Sequence, residues 1–415
     1  METSKTIFPI DNSAILYLAQ MGKDHTNTYR FTAELQEAVC PQALQKAVDR
    51  VYSRFPTIFA GFHPGFLNYT VMTTAQPPVV KEDTGLLRTM TRQEITSCAY
   101  RVLYSGNRFS IEAFHALADG YGAVMSLRAL LAEYLSIRYG LDTPERQELL
   151  ESGEPDWDTE LRDAYADYAD ADPAGVPSRY SYQLPGEDRD SQVKATVEVF
   201  KTKSLLNAAK GCGVSLTAML SCIMADAVME VQKKHVSPGK EKPVRIMVPV
   251  DLRRLFPSKT LRNFILYALP ALEPEEAGLP KQERMLRFQN QLKHQVSREW
   301  LAPTISRNVR LQRSILFRII PRGIKCAAMR IAYHFVGESN SSITLTNLGN
   351  VALSEEMAAH VRGVQVYLTP RRHSPYNCSL ISCGENTNII VTRFGAQPEL
   401  DDLFFGKLRS MVESC

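Results

Sequence analysis

Nowhere in this 415-residue chain does an uninterrupted apolar run approach the ~18 residues that suggest a membrane-spanning helix. Residues Met1–Ser13 show neither an apolar leader core nor a small-residue cleavage pattern. Together these absences point to a soluble, cytoplasmic protein. The eight cysteines, at 40, 98, 212, 222, 326, 378, 383 and 415, have no CxxC or metal-ligand spacing. That argues against a disulfide framework, a structural zinc site and a cysteine nucleophile, so no metal is expected. Neither sign of charge dominates: the net charge is +3, so nothing demands a nucleic acid or other polyanion as partner. No short-period repeat is present.

What is there is an alternation of strand-like and helix-like segments. Tyr29–Leu35 alternates as a strand does, and Pro41–Phe55 places Leu44, Ala47, Val48 and Val51 at helical spacing behind a first-turn proline. Arg101–Tyr104 and Arg108–His115 flank Ser105-Gly106-Asn107 as a hairpin, and Tyr121–Tyr139 is helical. Glu154–Asp172 is acidic and reads as an amphipathic helix, and Pro173–Gly186 is a Pro/Gly/Ser-rich crossover. Beyond it strands are expected at 192–200, 244–250, 343–347, 364–368, 377–382 and 388–393. Helices are expected at 204–210, 215–235, 283–300, 304–320 and 399–412. The class is therefore α/β or α+β with two lobes of similar size: residues 1–175, a linker at 176–190, and residues 191–415. A cleft between lobes is a common place for a substrate site.

The stretch with the most chemical content is Phe109–Gly122. Side-chain alternation puts Phe109, Ile111, Ala113 and His115 on one strand face, with Asp119 and Gly120 opening the next helix. Two readings fit His-x-x-x-Asp-Gly. His115 is a general base presented at a strand end, or it is a satisfied strand-end histidine followed by the helix cap Asp119.

The wider sequence separates them. Arg108–Tyr134 (RFSIEAFHALADGYGAVMSLRALLAEY) resembles the active-site strand and helix of the chloramphenicol acetyltransferase and condensation-domain superfamily, and most closely the bacterial alcohol acetyltransferases. Ala47–Phe62 (AVDRVYSRFPTIFAGF), Val248–Phe264 (VPVDLRRLFPSKTLRNF), Thr346–Gly349 (TNLG), Ser374–Asn377 (SPYN) and Phe404–Phe405 resemble further family segments, in the family's order. The resemblance implies a pseudo-dimer of two α/β lobes with a tunnel between them. It implies His115 as general base, with Asp119 a structural residue that pairs with an arginine and holds the histidine loop. Arg54 is the first candidate for that arginine and Arg262 the second. Gly120 would let the chain turn tightly behind the histidine. Asn347, and after it Thr346, would face the tunnel, with Arg262 and Asn263 along its wall, while Arg253 and Arg254 would only support their own loop.

The implied reaction is acyl transfer, most simply of acetyl from acetyl-CoA, to an alcohol hydroxyl. Acyl-CoA is then a co-substrate and no cofactor is bound. The alternatives are transfer to an amine, a donor thioester on a partner carrier protein, and a non-catalytic binding protein on the same scaffold. Two positions depart from the family pattern: Phe114 replaces a common second histidine, and Asp251 stands where an asparagine is usual. Finally, Leu301–Val336 contains Arg307, Arg310, Arg313, Arg318, Arg322, Lys325 and Arg330 and no acidic residue. It can attract the phosphates of coenzyme A, or touch an anionic membrane. The reading favoured from sequence is a basic solvated face of helices packed by their apolar side.

Overall fold

The computed structural model describes residues 6–22, 27–150, 156–173, 180–186, 192–336, 338–371, 374–395 and 398–414. Strand Arg108–Phe114 is buried at every residue after Arg108, so both its faces must be covered. It lies between Thr28–Leu35 and Tyr100–Ser105, antiparallel to both. The connection to Tyr100–Ser105 is the two-residue turn Gly106-Asn107, with Gly106 at φ +56°, a left-handed conformation that suits the first position of a tight hairpin.

A charge in such a strand requires partners on both sides. Glu112 stands in register with Arg30 on one neighbour and Arg101 on the other. Its two carboxylate oxygens accept from Arg30 Nε at 2.6 Å and Arg101 Nε at 2.5 Å, joining three strands through one buried anion. Lys81–Glu82 continues this five-stranded sheet on one edge and Val361–Leu368 on the other. Helices Pro41–Arg54 and Gly120–Tyr139 pack together and cover it, burying Leu44, Val48, Leu127 and Leu131.

The second sheet has seven strands. At its centre Tyr376–Cys383 is buried at every residue, parallel to Ile343–Asn350 and antiparallel to Asn386–Phe394. Val244–Asp251 lies beyond Ile343–Asn350, and Val193–Lys201 forms the opposite edge. Helix Leu216–His235 is apolar almost all round because it is enclosed by Glu399–Glu413 and Lys281–Gln295. Thus the protein is a mixed α/β molecule whose described residues form two large hydrophobic cores and a small third cluster at Leu87, Tyr367 and Ile390. Val361–Leu368 lies within residues 191–415 yet completes the first sheet, so the two halves share a strand.

Some elements differ from the sequence expectation. Among its described residues the acidic segment forms the short helix Trp157–Glu160 and the 3₁₀ stretch Ala164–Tyr168, where Asp156 caps the first of them by accepting from Thr159 N–H. Residues 176–179 and 187–190 of the expected linker lie outside the described residues. The break between the long basic helices falls at Ser297, whose hydroxyl accepts from Trp300 N–H, and Pro303 sits inside Arg298–Arg313. Two further helices follow, Ile315–Ile319 and Arg322–Val336, where the sequence reading continued the first only to Ile320.

Candidate active site

His115 is the first residue past strand Arg108–Phe114, and its backbone N–H donates to Asn27 O at 2.7 Å. Phe114 turns to the opposite face and meets Phe62 edge-on in the core, so the family's missing second histidine leaves the His115 side unaltered. The imidazole stacks on Tyr17 at 4.3 Å between centroids and takes the edge of Tyr29 at 5.2 Å. Tyr29 Oη in turn donates to Ala118 O, pinning the loop beyond the histidine. The ring keeps limited contact with solvent while surrounded by protein. Burial pushes its pKa below the ordinary histidine value, against the opposing pull of its own backbone carbonyl, Asp119 and Asn263.

The orientation of Asn263 decides the tautomer. Its Nδ2 faces two acceptors, Ala116 O at 3.3 Å and Asp11 Oδ2 at 3.4 Å, while its Oδ1 lies 3.2 Å from His115 Nδ1. An amide aimed this way offers the ring only an acceptor, so Nδ1 carries the hydrogen and Nε2 holds the free lone pair. Asp11 was not singled out from the sequence. It is fully buried, and its Oδ1 accepts from Ser13 N–H, Ser13 Oγ and Ala14 N–H. One carboxylate therefore aims Asn263 and starts the helix Ala14–Gln20 that carries Tyr17. The signal for it is Asp11-Asn12-Ser13, a cap pattern directly before the apolar run Ala14–Ala19.

Asp119 unites both sequence readings. Its Oδ1 accepts from Tyr121 and Gly122 N–H, capping helix Gly120–Tyr139, and its Oδ2 accepts from Phe264 N–H and Arg253 Nη1, both at 2.8 Å. The partner arginine is thus Arg253, expected only to support its own loop, and neither Arg54 nor Arg262. Arg54 pairs with Glu160 at 2.7 Å. Arg262 is occupied by Leu161 O, Pro9 O and Asp11, so it clamps the loops that carry them. Arg253 also donates to Thr260 O and Arg262 O and covers the Tyr121 ring at 4.5 Å. The unusual Asp251 finds donors here, accepting from Arg253 N–H and Nη1. The segment 251–264 is in effect a strap wound around Arg253 and tied to the histidine loop at Asp119 and Asn263.

The glycines show why the strap lies so close. A methyl group at Gly122 would fall 2.3 Å from Leu261 O, a backbone atom. At Gly120 the same addition meets Leu348 Cδ2 at 2.6 Å. Gly120 does not have a positive φ, so close approach of strand Ile343–Asn350 explains it, where a tight turn was expected.

On that strand Asn347 is exposed, donates to Thr217 Oγ1 at 3.0 Å and accepts from Gly349 N–H. Thr346 is buried, two residues before the Leu348 that meets Gly120. Arg371 was also missed: its guanidinium lies over the Tyr333 ring at 5.4 Å, and its charge acts on both His115 and Tyr17. A cavity of about 630 Å³ beside Lys81–Glu82 contains none of these groups, and its Asp83 and Glu94 are paired with Arg30, Arg88 and Arg101.

No protein-family model and no curated protein matches the chain. Solved structures do. TRI3 trichothecene 15-O-acetyltransferase from Fusarium sporotrichioides superposes with a TM-score of 0.62 at 11% identity, over 98% of this chain and 95% of that one. The epimerization domain from the third module of tyrocidine synthetase B gives 0.61 at 11%, over 99% and 98%. The starter condensation domain of rhizomide synthetase, solved with C8-CoA and Leu-SNAC, gives 0.55 at 14%, over 98% and 94%. The match spans nearly the whole of each chain, and this chain has the fold of these acetyltransferase, epimerization and condensation-domain structures.

Proposed function

We propose that the protein transfers an acyl group from a thioester to a hydroxyl, with His115 as general base and acetyl-CoA as the simplest donor. The observation that carries this reading is the imidazole held between Asn263 Oδ1, 3.2 Å from Nδ1, and the Tyr17 ring, an arrangement that leaves Nε2 as the basic atom. An alcohol is a weak nucleophile until its proton departs, and a neutral imidazole is the side chain suited to accept it near neutral pH. The acceptor oxygen bonds to the thioester carbonyl carbon as its proton passes to Nε2. The carbon–sulfur bond then breaks, and Nε2–H returns the proton to the leaving thiolate, giving ester and free thiol. The burial that lowers the His115 pKa keeps the ring in its basic form through this pH range. Thr346, buried on strand Ile343–Asn350, is a candidate donor to the carbonyl oxygen, and Asn347 beside it remains a candidate to orient the acceptor. Asp119 and Arg253 position the loop and do not touch the reacting atoms. The activity named for TRI3, O-acetyl transfer, and the CoA thioester bound by the rhizomide domain support the choice of reaction class.

A donor held on a carrier protein, and an amine acceptor, are the second reading, favoured by the condensation-domain neighbours. The test is release of free thiol from acetyl-CoA across a panel of alcohols and amines, with wild type and His115→Ala. Release stimulated by an alcohol in wild type alone is the expected result. Release only from a carrier-bound thioester, or only with an amine, selects the second reading. A His115→Ala variant that turns over as wild type does removes the general-base assignment, and failure with every donor leaves a binding protein.

A further inference from the structure

Helix Arg298–Arg313 buries Leu301, Ile305 and Val309 and exposes Arg310 and Arg313, as favoured from its sequence, but the two helices after it do not follow that pattern. Helix Ile315–Ile319 buries none of its residues. Ile315, Leu316 and Ile319 point to solvent, as do Ile324 and Ile331 of the following helix and Phe66 of the neighbouring hairpin tip. Their exposure runs from 60% at Ile331 to 80% at Phe66. Helix Arg322–Val336 is inverted relative to an ordinary surface helix. Lys325 is buried, its Nζ donating to Leu67 O and Asn68 Oδ1 of the hairpin tip and lying 4.6 Å from the Phe317 ring centroid. Ile324 and Ile331, seven residues apart and so on one stripe, face outward. Arg322 fastens the unit together by donating from Nε to Gly65 O and from its backbone N–H to Phe66 O.

The segments that carry these side chains bear charge of one sign. Arg313 and Arg318 are exposed on either side of Ile315 and Leu316. No Asp or Glu occurs in 301–336, in the hairpin 60–73, or in helix Ala14–Gln20, which packs against Arg322–Val336. Exposed aliphatic and aromatic side chains flanked by Arg313 and Arg318 fit an anionic, deformable, apolar-cored surface. Two copies of this face would set arginine against arginine, which disfavours self-association.

We propose that the unit formed by Ile315–Ile319, Arg322–Val336 and the hairpin tip at Phe66 docks on the surface of an anionic lipid bilayer. Its isoleucines, Leu316 and Phe66 enter the interface, while Arg313 and Arg318 meet the phosphates. Helix Ala14–Gln20 connects this face with the site: it accepts a hydrogen bond from Arg330 Nε at Ala19 O and carries Tyr17 against His115. Bilayer docking would bring an apolar acceptor close to the base, yet the docking itself does not depend on the reaction proposed above.

The experiment is co-sedimentation of the full chain with vesicles of phosphatidylcholine alone and with phosphatidylserine added. Wild type is expected to sediment with the anionic vesicles and to be released by salt. Removing Arg313 or Arg318 is expected to weaken partition about fivefold each, and Ile315→Asp with Leu316→Asp to abolish it. Thermal melting and thiol release in bulk solution should be retained in these variants, because the side chains are exposed. An Ile315→Trp variant is expected to show a blue-shifted emission when anionic vesicles are added. Equal binding to both vesicle types, equal partition of wild type and the double aspartate variant, or an unshifted tryptophan overturns the proposal. So does a concentration-dependent dimer that Ile315→Asp dissociates, since the face would then belong to a second copy.

Discussion

Replacing Asp119 by Asn tests whether this residue holds the site or takes part in the chemistry. The wild-type carboxylate is fully buried and accepts from two helix-start N–H groups through one oxygen, and from Phe264 N–H and Arg253 through the other. An asparagine has a single acceptor oxygen, so it can serve the helix or the strap, and its NH₂ must face donors at the other. Keeping the cap leaves Phe264 N–H unpaired at about 1–3 kcal/mol. It also removes one of the two carboxylates on Arg253. Breaking a buried ion pair costs about 3–5 kcal/mol, and the remaining Asp251 and carbonyl partners hold the loss toward the low end. Together these give about 4–6 kcal/mol, comparable with the stability of many single domains. We expect a large fall in denaturant midpoint, measured by circular dichroism. Turnover should fall in parallel, and in whatever folded protein remains the acid limb of kcat/KM should move to lower pH, because the Asp119 charge that raises the His115 pKa is gone. A variant with wild-type melting and lost turnover would refute the reasoning, because Asp119 would then act on the reaction and not on the strap.

Asn263→Leu removes the acceptor that selects the Nδ1-protonated ring; with one hydrogen bond to a neutral group at stake, kcat should fall about 3–10-fold with KM little changed. An unchanged kcat would show that the stack on Tyr17 orients the ring alone. His115 must be neutral to act and burial lowers its pKa, so activity should be lost on acidification with a midpoint below about 6.5; a midpoint above that value in a pH–rate profile contradicts the environment described. Asp163 has its pKa raised to about 7 by burial and by Asp11, and its Oδ1 finds no hydrogen-bond partner. The folded state therefore prefers the protonated acid, and stability is lost as pH rises from the unfolded value through about 7. Asp163→Asn should melt higher than wild type near pH ~8 and no higher near pH ~4; equal shifts at both would exclude the titration. Gly122→Ala should push segment 251–264 away from the histidine loop and lower the melting temperature, since Leu261 O cannot yield as a side chain would; an Ala variant with native melting would show that the strap is free to shift.

Local pattern was enough for much of the molecule. The hairpin at Gly106-Asn107, the helices Pro41–Arg54 and Leu216–His235, and the placement of His115 one step beyond a buried strand follow from periodicity and turn chemistry. These depend on neighbours only a few residues away. The residues that make His115 a base with a defined tautomer do not. Asn263 is separated from it by 148 positions, Asp11 acts on it through Asn263 and the Tyr17 helix, and Arg253 meets Asp119 across 134. Arg54, Arg253 and Arg262 are the same side chain with the same hydrogen-bonding capacity, and composition cannot rank them. Which one reaches Asp119 depends on the path of the strap, set by the space Gly122 leaves beneath Leu261 O and by the carbonyls of Thr260 and Arg262. The basic segment shows the same division. Its sequence determined that it is positive and periodic, with apolar and charged residues interleaved. Only tertiary packing decided that Lys325 turns inward to two oxygens of the hairpin and the isoleucines outward, because burying a lysine needs acceptors that the rest of the fold supplied.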